Sequence, residues 1–143
     1  MRTLLASLVF AALSTAASAE TTLIDIEKLP SKEVHGIADL TPLAVSASGA
    51  PAVVLLDLEK GEVVPPHATK EGLRMMTVLK GELFWGDGSS INPEMEKTFQ
   101  PGDVLTIPAG LDHWLAARNG SLQIQLIVLD DEQLVPGIQE QMK

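Results

Sequence analysis

Short runs of apolar and β-branched residues, broken by glycine, proline and aspartate, dominate the chain from Pro51 onward. Runs of this length with turn residues between them are typical of β-strands. The Asp87-Gly88 and Asn119-Gly120 dipeptides are strong hairpin signals. The predicted strands are residues 52–58, 73–79, 82–85, 97–100, 104–107, 113–117 and 122–129. Strands spaced this closely predict an all-β sandwich or barrel.

The segments on either side of these strands carry weaker patterns. The stretch from residue 20 to about residue 50 offers edge strands at 23–26 and 43–45. A trace of helical periodicity is confined to the last residues, where Pro136 and Gly137 interrupt it. We therefore divide the chain after its leader into an N-terminal segment (20–42), a barrel (43–130) and a C-terminal tail (131–143).

The first residues have the pattern of an export signal. Arg2 supplies a positive start, residues 4–13 are apolar, and residues 17–19 (Ala-Ser-Ala) are the small residues that a signal peptidase needs. A buried N-terminal helix is the alternative, but the run is shorter than the roughly 20 apolar residues that span a bilayer. We predict a signal peptide over 1–19, a periplasmic or secreted protein, and no membrane insertion after the signal is removed.

Composition excludes several classes of function. The chain has 143 residues, which fits one domain, and a formal charge of −9 from 10 basic and 19 acidic side chains. Because nucleic-acid affinity depends on basic residues that neutralise phosphates, we expect no nucleic-acid partner. The absence of cysteine excludes disulfides, thiolate metal sites and a cysteine nucleophile. Any chemistry must come from histidine, carboxylates, hydroxyls or a bound ligand.

Two segments resemble the paired motifs of the cupin superfamily. The first contains Gly61, His67, Thr69, Arg74 and Gly81, and the second contains Gly102, Pro108, Gly110 and His113. The resemblance implies a cupin-type double-stranded antiparallel β-barrel (jelly roll), and it implies a homodimer. Strand alternation places Arg74 and His113 inside that barrel and Trp114 on the sheet exterior or against a partner.

The first motif departs from the metal-binding pattern of the family. The resemblance implies three histidines and one carboxylate around a divalent Fe, Mn, Ni, Cu or Zn ion. Here His67 and His113 keep ligand positions, whereas Thr69 replaces a histidine and Arg74 replaces the glutamate. A guanidinium cannot be deprotonated and opposes a dication. The asparagine that closes the second motif is Ala117 in this chain.

Three hypotheses for the function follow. In the first, the barrel mouth binds a small molecule, either anionic or neutral, through His67, Thr69, Arg74 and His113. In the second, His67 and His113 hold a metal ion for oxygenase or isomerase chemistry, aided by water or by a side chain such as Glu71 or Gln125. In the third, the protein is a structural or interaction module with a vestigial pocket, and Arg74 reaches solvent or pairs with a carboxylate such as Glu82.

For the third histidine and for several methionine and tryptophan residues, the sequence predicts a structural role. His35 lies outside the motifs, and we predict a surface or edge position for it. Met75, Met76, Trp85 and Trp114 are predicted to pack in the core or at a dimer interface, and the alternative is that they line a pocket for an apolar ligand. The sequence assigns no catalytic residue and identifies no ligand.

Overall fold

The computed structural model describes residues 20–129, which form two antiparallel sheets. The predicted signal peptide, the end of the barrel at Asp130 and the C-terminal tail lie outside the described residues. The strands are β1 (Lys32–Val34), β2 (Ala38–Val45), β3 (Pro51–Leu58), β4 (Val63–His67), β5 (Leu73–Lys80), β6 (Leu83–Asp87), β7 (Lys97–Phe99), β8 (Val104–Ile107), β9 (His113–Ala116) and β10 (Leu122–Leu129). Two short 3-10 helices span Ile26–Lys28 and Pro93–Met95.

The six-stranded sheet has the order β1-β2-β3-β10-β5-β8, and the four-stranded sheet has the order β4-β9-β6-β7. Neighbouring strands in both sheets are antiparallel. The first motif spans β4 and β5, and the second spans β8 and β9. In each pair one strand belongs to the four-stranded sheet and the other to the six-stranded sheet, so each motif contributes to both sheets. This arrangement confirms the predicted all-β jelly-roll barrel. No helix within residues 20–129 has the length and apolar character needed to cross a membrane.

The strand predictions failed at the N-terminal end of the chain and at β4. Residues 23–26 are not a strand, because Leu23 and Ile24 are 90% and 52% exposed and have no sheet to pack against. The predicted 43–45 strand is the end of the longer β2; β1 pairs only with its residues 38–40, so residues 43–45 pair with β3 alone and lie at a sheet edge as predicted. Strand β4 was missed because Pro65 and Pro66 interrupt its pattern.

Apolar side chains from both sheets fill the space between them. Leu56, Met76 and Ile124 come from the six-stranded sheet, and Leu83 and Leu115 come from the four-stranded sheet; each is at most 5% exposed. Alternate residues of each strand point into this core because side chains in a strand project to opposite faces. Beside this core, a cavity remains between the two sheets.

Trp114 lies on the outer face of the four-stranded sheet and is nevertheless 1% exposed. Its indole packs against Gly86, and its Nε1 donates to Glu96 Oε1 at 3.0 Å. Glu96 follows the 3-10 helix between β6 and β7, so the chain's own loop covers this tryptophan. The sequence allowed an outward or partner-facing Trp114, and the structure places it beneath this loop.

Candidate functional site

A cavity of about 480 Å³ opens between the two sheets at the end of β4. Its volume falls within the range of about 300–1,000 Å³ that is usual for small-molecule sites. The inner wall is apolar and includes Val54, Leu56, Val64, Met76, Leu115 and Leu126. The polar residues predicted from the motifs all line this cavity: His67, Thr69, Arg74 and His113. The cavity is therefore the candidate site.

Strand pairing brings the two motif histidines together. His67 ends β4 and His113 begins β9, and these two residues are direct partners in the antiparallel register. Their rings lie with centroids 4.4 Å apart. Arg74 enters the same cavity from β5 of the opposite sheet, after the loop that carries Thr69. The site thus forms only when both sheets pack together.

Each of these histidines makes the same local hydrogen bond. His67 Nδ1 lies 2.9 Å from the Pro65 carbonyl oxygen, and His113 Nδ1 lies 2.8 Å from the Leu111 carbonyl oxygen. A carbonyl oxygen only accepts, so Nδ1 must carry the proton in both rings. Nε2 is then the lone-pair nitrogen of each neutral imidazole, and no residue in 20–129 donates to it.

His113 is buried, and an aromatic ring covers one of its faces. It is 3% exposed, and the Trp85 ring stacks on it with centroids 4.5 Å apart and planes 14° from parallel. Burial lowers the pKa of His113, the hydrogen bond to Leu111 opposes that change, and nearby His67 and Arg74 lower the pKa further. His113 is therefore neutral at pH 7.

Arg74 is half-buried, and its guanidinium forms no ion pair with any side chain between residues 20 and 129. The candidate partner Glu82 instead accepts hydrogen bonds from Gln100, at 2.8 Å, and from Asn119. Burial lowers the pKa of Arg74, yet the guanidinium stays protonated at neutral pH. The cavity lining therefore contains a guanidinium that has no ion pair among residues 20–129, although Glu71 and Lys70 also line the cavity.

Thr69 supplies a second unsatisfied polar group. The residue is 9% exposed, and its buried Oγ1 has no hydrogen-bond partner. Its backbone is fixed, because the Thr69 carbonyl accepts from the Gly110 amide at 2.8 Å. Buried polar atoms in native proteins are nearly always paired, so this hydroxyl is free to bond a molecule bound in the cavity.

His35 also lines the cavity, which the sequence did not predict. It is exposed, as expected, but its ring lies 4.4 Å from the His67 ring. Burial and the neighbouring His67 lower the pKa of His35. His35 and Gly36 both have positive φ, of 55° and 72°, in the tight turn between β1 and β2. The His-Gly pair before an alternating strand is the signal that would have indicated this hairpin.

The residues present do not fit the metal centre that the motifs imply. No group of three His, Cys, Asp or Glu side chains within the described residues is arranged to hold a metal ion. Glu71 lines the cavity, but Gln125 pairs with Leu55 and Thr77, on the sheet face opposite the cavity-lining Leu126. Arg74 stands where the implied carboxylate would be.

The fold and this cavity define a small two-sheet β-barrel with a polar pocket between its sheets. A family model described as Cupin matches residues 43–138, and the chain belongs to the cupin family. Germin-like protein subfamily 1 member 4 of Arabidopsis thaliana is 31% identical over 101 residues, which are 68% of this chain and 39% of that protein. Germin-like protein 5-1 of Oryza sativa subsp. japonica is 33% identical over 115 residues, 80% and 45% of the two chains.

Solved structures agree on the fold. A protein described as a predicted oxalate decarboxylase from Thermotoga maritima superposes with a TM-score of 0.63 at 13% identity, covering 77% of this chain and all of that one. A cupin superfamily protein from Desulfitobacterium hafniense gives a TM-score of 0.55 at 23% identity over 80% of this chain and 94% of its own. These similarities show the fold alone. The germin-like relatives are longer, and this chain spans less than half of their length.

Proposed function

We propose that this protein binds a small organic anion, most simply a carboxylate, in the mouth of the barrel. Arg74 and Thr69 hold the anionic group, and His67 and His113 contact the neighbouring part of the ligand. The observation that carries this proposal is the buried Thr69 hydroxyl, which lacks a partner in the cavity that also contains the unpaired Arg74 guanidinium. A carboxylate accepts hydrogen bonds from both groups and satisfies them together.

The electrostatic argument supports an anion over a neutral ligand. A half-buried charge that lacks a counter-ion is costly, and an anionic ligand removes that cost. The guanidinium presents its donors in a planar fork that matches a carboxylate, and its strand fixes its direction. The apolar inner wall excludes water and strengthens the interaction between the charges.

A thermal-shift screen of small carboxylates, followed by calorimetry, tests the proposal. We expect binding to the wild-type protein and its loss in Arg74→Met, with partial retention in Arg74→Lys, which keeps the charge but not the fork. Lys80→Met is the matched control, because it removes a positive charge from the exposed opposite end of β5. Equal responses from the wild type and Arg74→Met would show that Arg74 does not bind the anion.

A metal-dependent enzyme is the second candidate function. Its support is the Nδ1 hydrogen bond of both His67 and His113, which leaves Nε2 as the nitrogen for a metal, as in many metal-ligating histidines. Metal analysis of protein purified without a His tag or chelators tests it. Stoichiometric metal that disappears in the His67→Ala, His113→Ala double variant would favour this function. Failure to retain metal and to respond to any carboxylate would favour the interaction module with a vestigial pocket.

Export to the periplasm or outside the cell is part of the proposal. Its support is the signal-like pattern of residues 1–19, which ends in Ala-Ser-Ala. Expression of the full chain in a Gram-negative host, followed by cell fractionation and N-terminal sequencing, tests it. We expect a periplasmic protein that begins at Glu20, and a cytoplasmic protein that retains Met1 would contradict it.

We also propose a homodimer that forms through the outer face of the six-stranded sheet. Ile127 pairs with Val53 on one side and with Met75 on the other, so these residues form an apolar row across three strands. Leu79 and Val104 extend the apolar surface, with 42% and 58% exposure. Light scattering should show a dimer for the wild type and a monomer for Met75→Glu. Thr98→Glu, on the other sheet, is the control and should remain dimeric.

A further inference from the structure

We infer that the ligand is a hydroxycarboxylic acid, which donates its hydroxyl hydrogen to the imidazole nitrogens while its carboxylate binds Arg74 and Thr69. This inference rests on the proposed function and names the ligand class for the same cavity. It follows from the donors and acceptors that the cavity offers, because a buried site selects the ligand that leaves none of its polar groups unpaired.

The imidazoles act as acceptors. His67 and His113 each use Nδ1–H to bond a backbone carbonyl, at 2.9 and 2.8 Å. That bond fixes the tautomer, so Nε2 carries the lone pair as long as the ring is neutral. His113 is 3% exposed and has little access to water that would donate to this nitrogen. The rings of the two residues are 4.4 Å apart, so one small donor group can reach either of them.

Arg74 and Thr69 need an acceptor from the ligand, whereas the imidazoles need a donor. The guanidinium has only donors, and a hydroxyl group can donate to an anion. Both side chains line the same cavity as the imidazoles. A simple carboxylate satisfies Arg74 and Thr69 but offers no donor to the imidazole acceptors. An uncharged alcohol satisfies the imidazoles but leaves the guanidinium without a counter-ion. A hydroxycarboxylate satisfies both sides.

The rest of the cavity accommodates the carbon skeleton of such an acid. Val64, Met76 and Leu126 form part of the inner wall and carry no polar side-chain group other than a thioether. A branched or aryl side chain on the carbon that bears the hydroxyl would bury apolar surface there. The hydroxyl of the ligand then faces the histidines, its carboxylate faces Arg74 and Thr69, and its apolar part faces the core.

Matched pairs of acids that differ in one hydroxyl test this inference. The probes are lactate with propionate, 2-hydroxyisovalerate with isovalerate, and mandelate with phenylacetate, each measured by calorimetry on EDTA-treated protein. We expect the hydroxy acid of at least one pair to bind about tenfold or more tightly than its partner, because the partner leaves a buried acceptor unpaired. The O-methyl ether of mandelate, which keeps the oxygen but cannot donate, should bind as weakly as phenylacetate.

His67→Asn and His113→Asn locate the acceptor. Asparagine retains an N–H where Nδ1 lies, so the bond to the backbone carbonyl can persist, but it has no counterpart of Nε2. We expect each variant to reduce the preference for the hydroxy acid while the dependence on Arg74 remains. Long-range ¹H–¹⁵N spectra of the wild type provide a ligand-independent check, and they should show a proton on Nδ1 of both rings, as the hydrogen bonds to the Pro65 and Leu111 carbonyls require.

The outcomes separate this inference from the function on which it rests. Carboxylates that bind through Arg74 with no preference for the hydroxyl would overturn the inference and leave the proposed function intact. Failure of all six acids to bind would overturn both. A preference for the hydroxy acid that exists only when a divalent metal is added would show that the hydroxyl binds the metal and would overturn the inference. Nε2 atoms that prove protonated would also overturn it, because they could not accept the hydroxyl hydrogen.

Discussion

The imidazole of His35 lies against the imidazole of His67, with ring centroids 4.4 Å apart and planes inclined by 39°. His67 belongs to the first cupin motif, whereas His35 precedes the part of the chain that the family model matches. The contact depends on the β1–β2 turn, in which His35 has a φ of 55°. Residues other than glycine rarely adopt this conformation, although His, Asn and Asp do so more often than the rest. The N-terminal hairpin therefore adds a third imidazole to the cavity mouth.

His35→Asn is expected to preserve the hairpin and remove this contact. Asparagine tolerates the left-handed conformation, so the free energy of unfolding should change by less than about 0.5 kcal/mol. Its shorter side chain cannot cover the His67 ring. The chain has three histidines, so their imidazole proton resonances are readily assigned by single substitutions. We expect the His67 resonances to move more than those of His113.

A β-branched residue at position 35 provides the contrasting case. His35→Val should destabilise the hairpin, because a β-branched side chain is a steric outlier at positive φ. If His35→Asn left the His67 resonances unchanged, the two rings would not be in contact in solution. If His35→Val were as stable as the wild type, the turn would not have the left-handed conformation.

Thr69→Val is expected to stabilise the ligand-free protein and weaken ligand binding. Valine has nearly the same shape and removes the buried hydroxyl that lacks a partner. Eliminating an unsatisfied buried polar group is worth about 1 kcal/mol or more, so the melting temperature should rise. The same change deletes a donor to the carboxylate, and the thermal shift produced by the best ligand of the screen should shrink.

Thr77→Val is the control for this pair of effects. Thr77 pairs with Gln125 and Val104 on the outer face of the same sheet, away from the cavity. It should alter ligand binding little. A Thr69→Val protein that melts below the wild type would indicate that Oγ1 already has a partner, such as a bound water, and would remove the main support for the binding proposal.

The candidate site was predictable from sequence where strand alternation determines it. Arg74 and His113 lie on predicted strands, and their shared interior placement follows from period-2 geometry together with the motifs. His67 was identified by its motif position alone, because β4 was not predicted, and all three residues line the cavity. The contact with His35 was not predictable, because it depends on where a separate hairpin packs. The same limitation applies to Thr69, whose unpaired hydroxyl can be recognised only after its neighbours are known.

The fold shows the same division between local and non-local information. Strands β8 and β10 have the predicted bounds, because each is a continuous apolar run between turn residues. Trp114 follows the alternation rule and faces outward, yet it is buried by a loop whose position no local pattern encodes. The predicted strand at 23–26 failed because strand-forming residues still require a neighbouring strand that completes their hydrogen bonds.

Gly86→Ala is expected to be strongly destabilising. A Cβ on Gly86 would fall within the indole ring of Trp114, which is 1% exposed and cannot move aside. Overpacking of this kind costs about 1–3 kcal/mol. Urea unfolding should show the loss, and Trp114→Phe should reduce it in the double variant because the smaller ring leaves space. Additive effects of the two substitutions would show that Gly86 and Trp114 are not in direct contact.

Glu96 should make stability depend on pH in the acid range. Its side chain is 3% exposed, and Glu96 Oε2 accepts from Arg118 Nε at 2.6 Å. The hydrogen bond from Arg118 lowers the pKa of Glu96, burial opposes this, and the hydrogen bond from Trp114 lowers the pKa further. A carboxyl whose pKa is lower in the folded state stabilises the protein fully above the pKa of the unfolded chain, near 4.5, and this contribution is lost as the pH falls through the folded value.

We expect Glu96→Gln to cost about 2 kcal/mol at pH 7 and to reduce the decline in stability between pH 5 and pH 3. Glu94→Gln, an exposed neighbour on the same loop, is the control, and an equal effect of both substitutions in urea unfolding at pH 7 and pH 3 would contradict the role of Glu96.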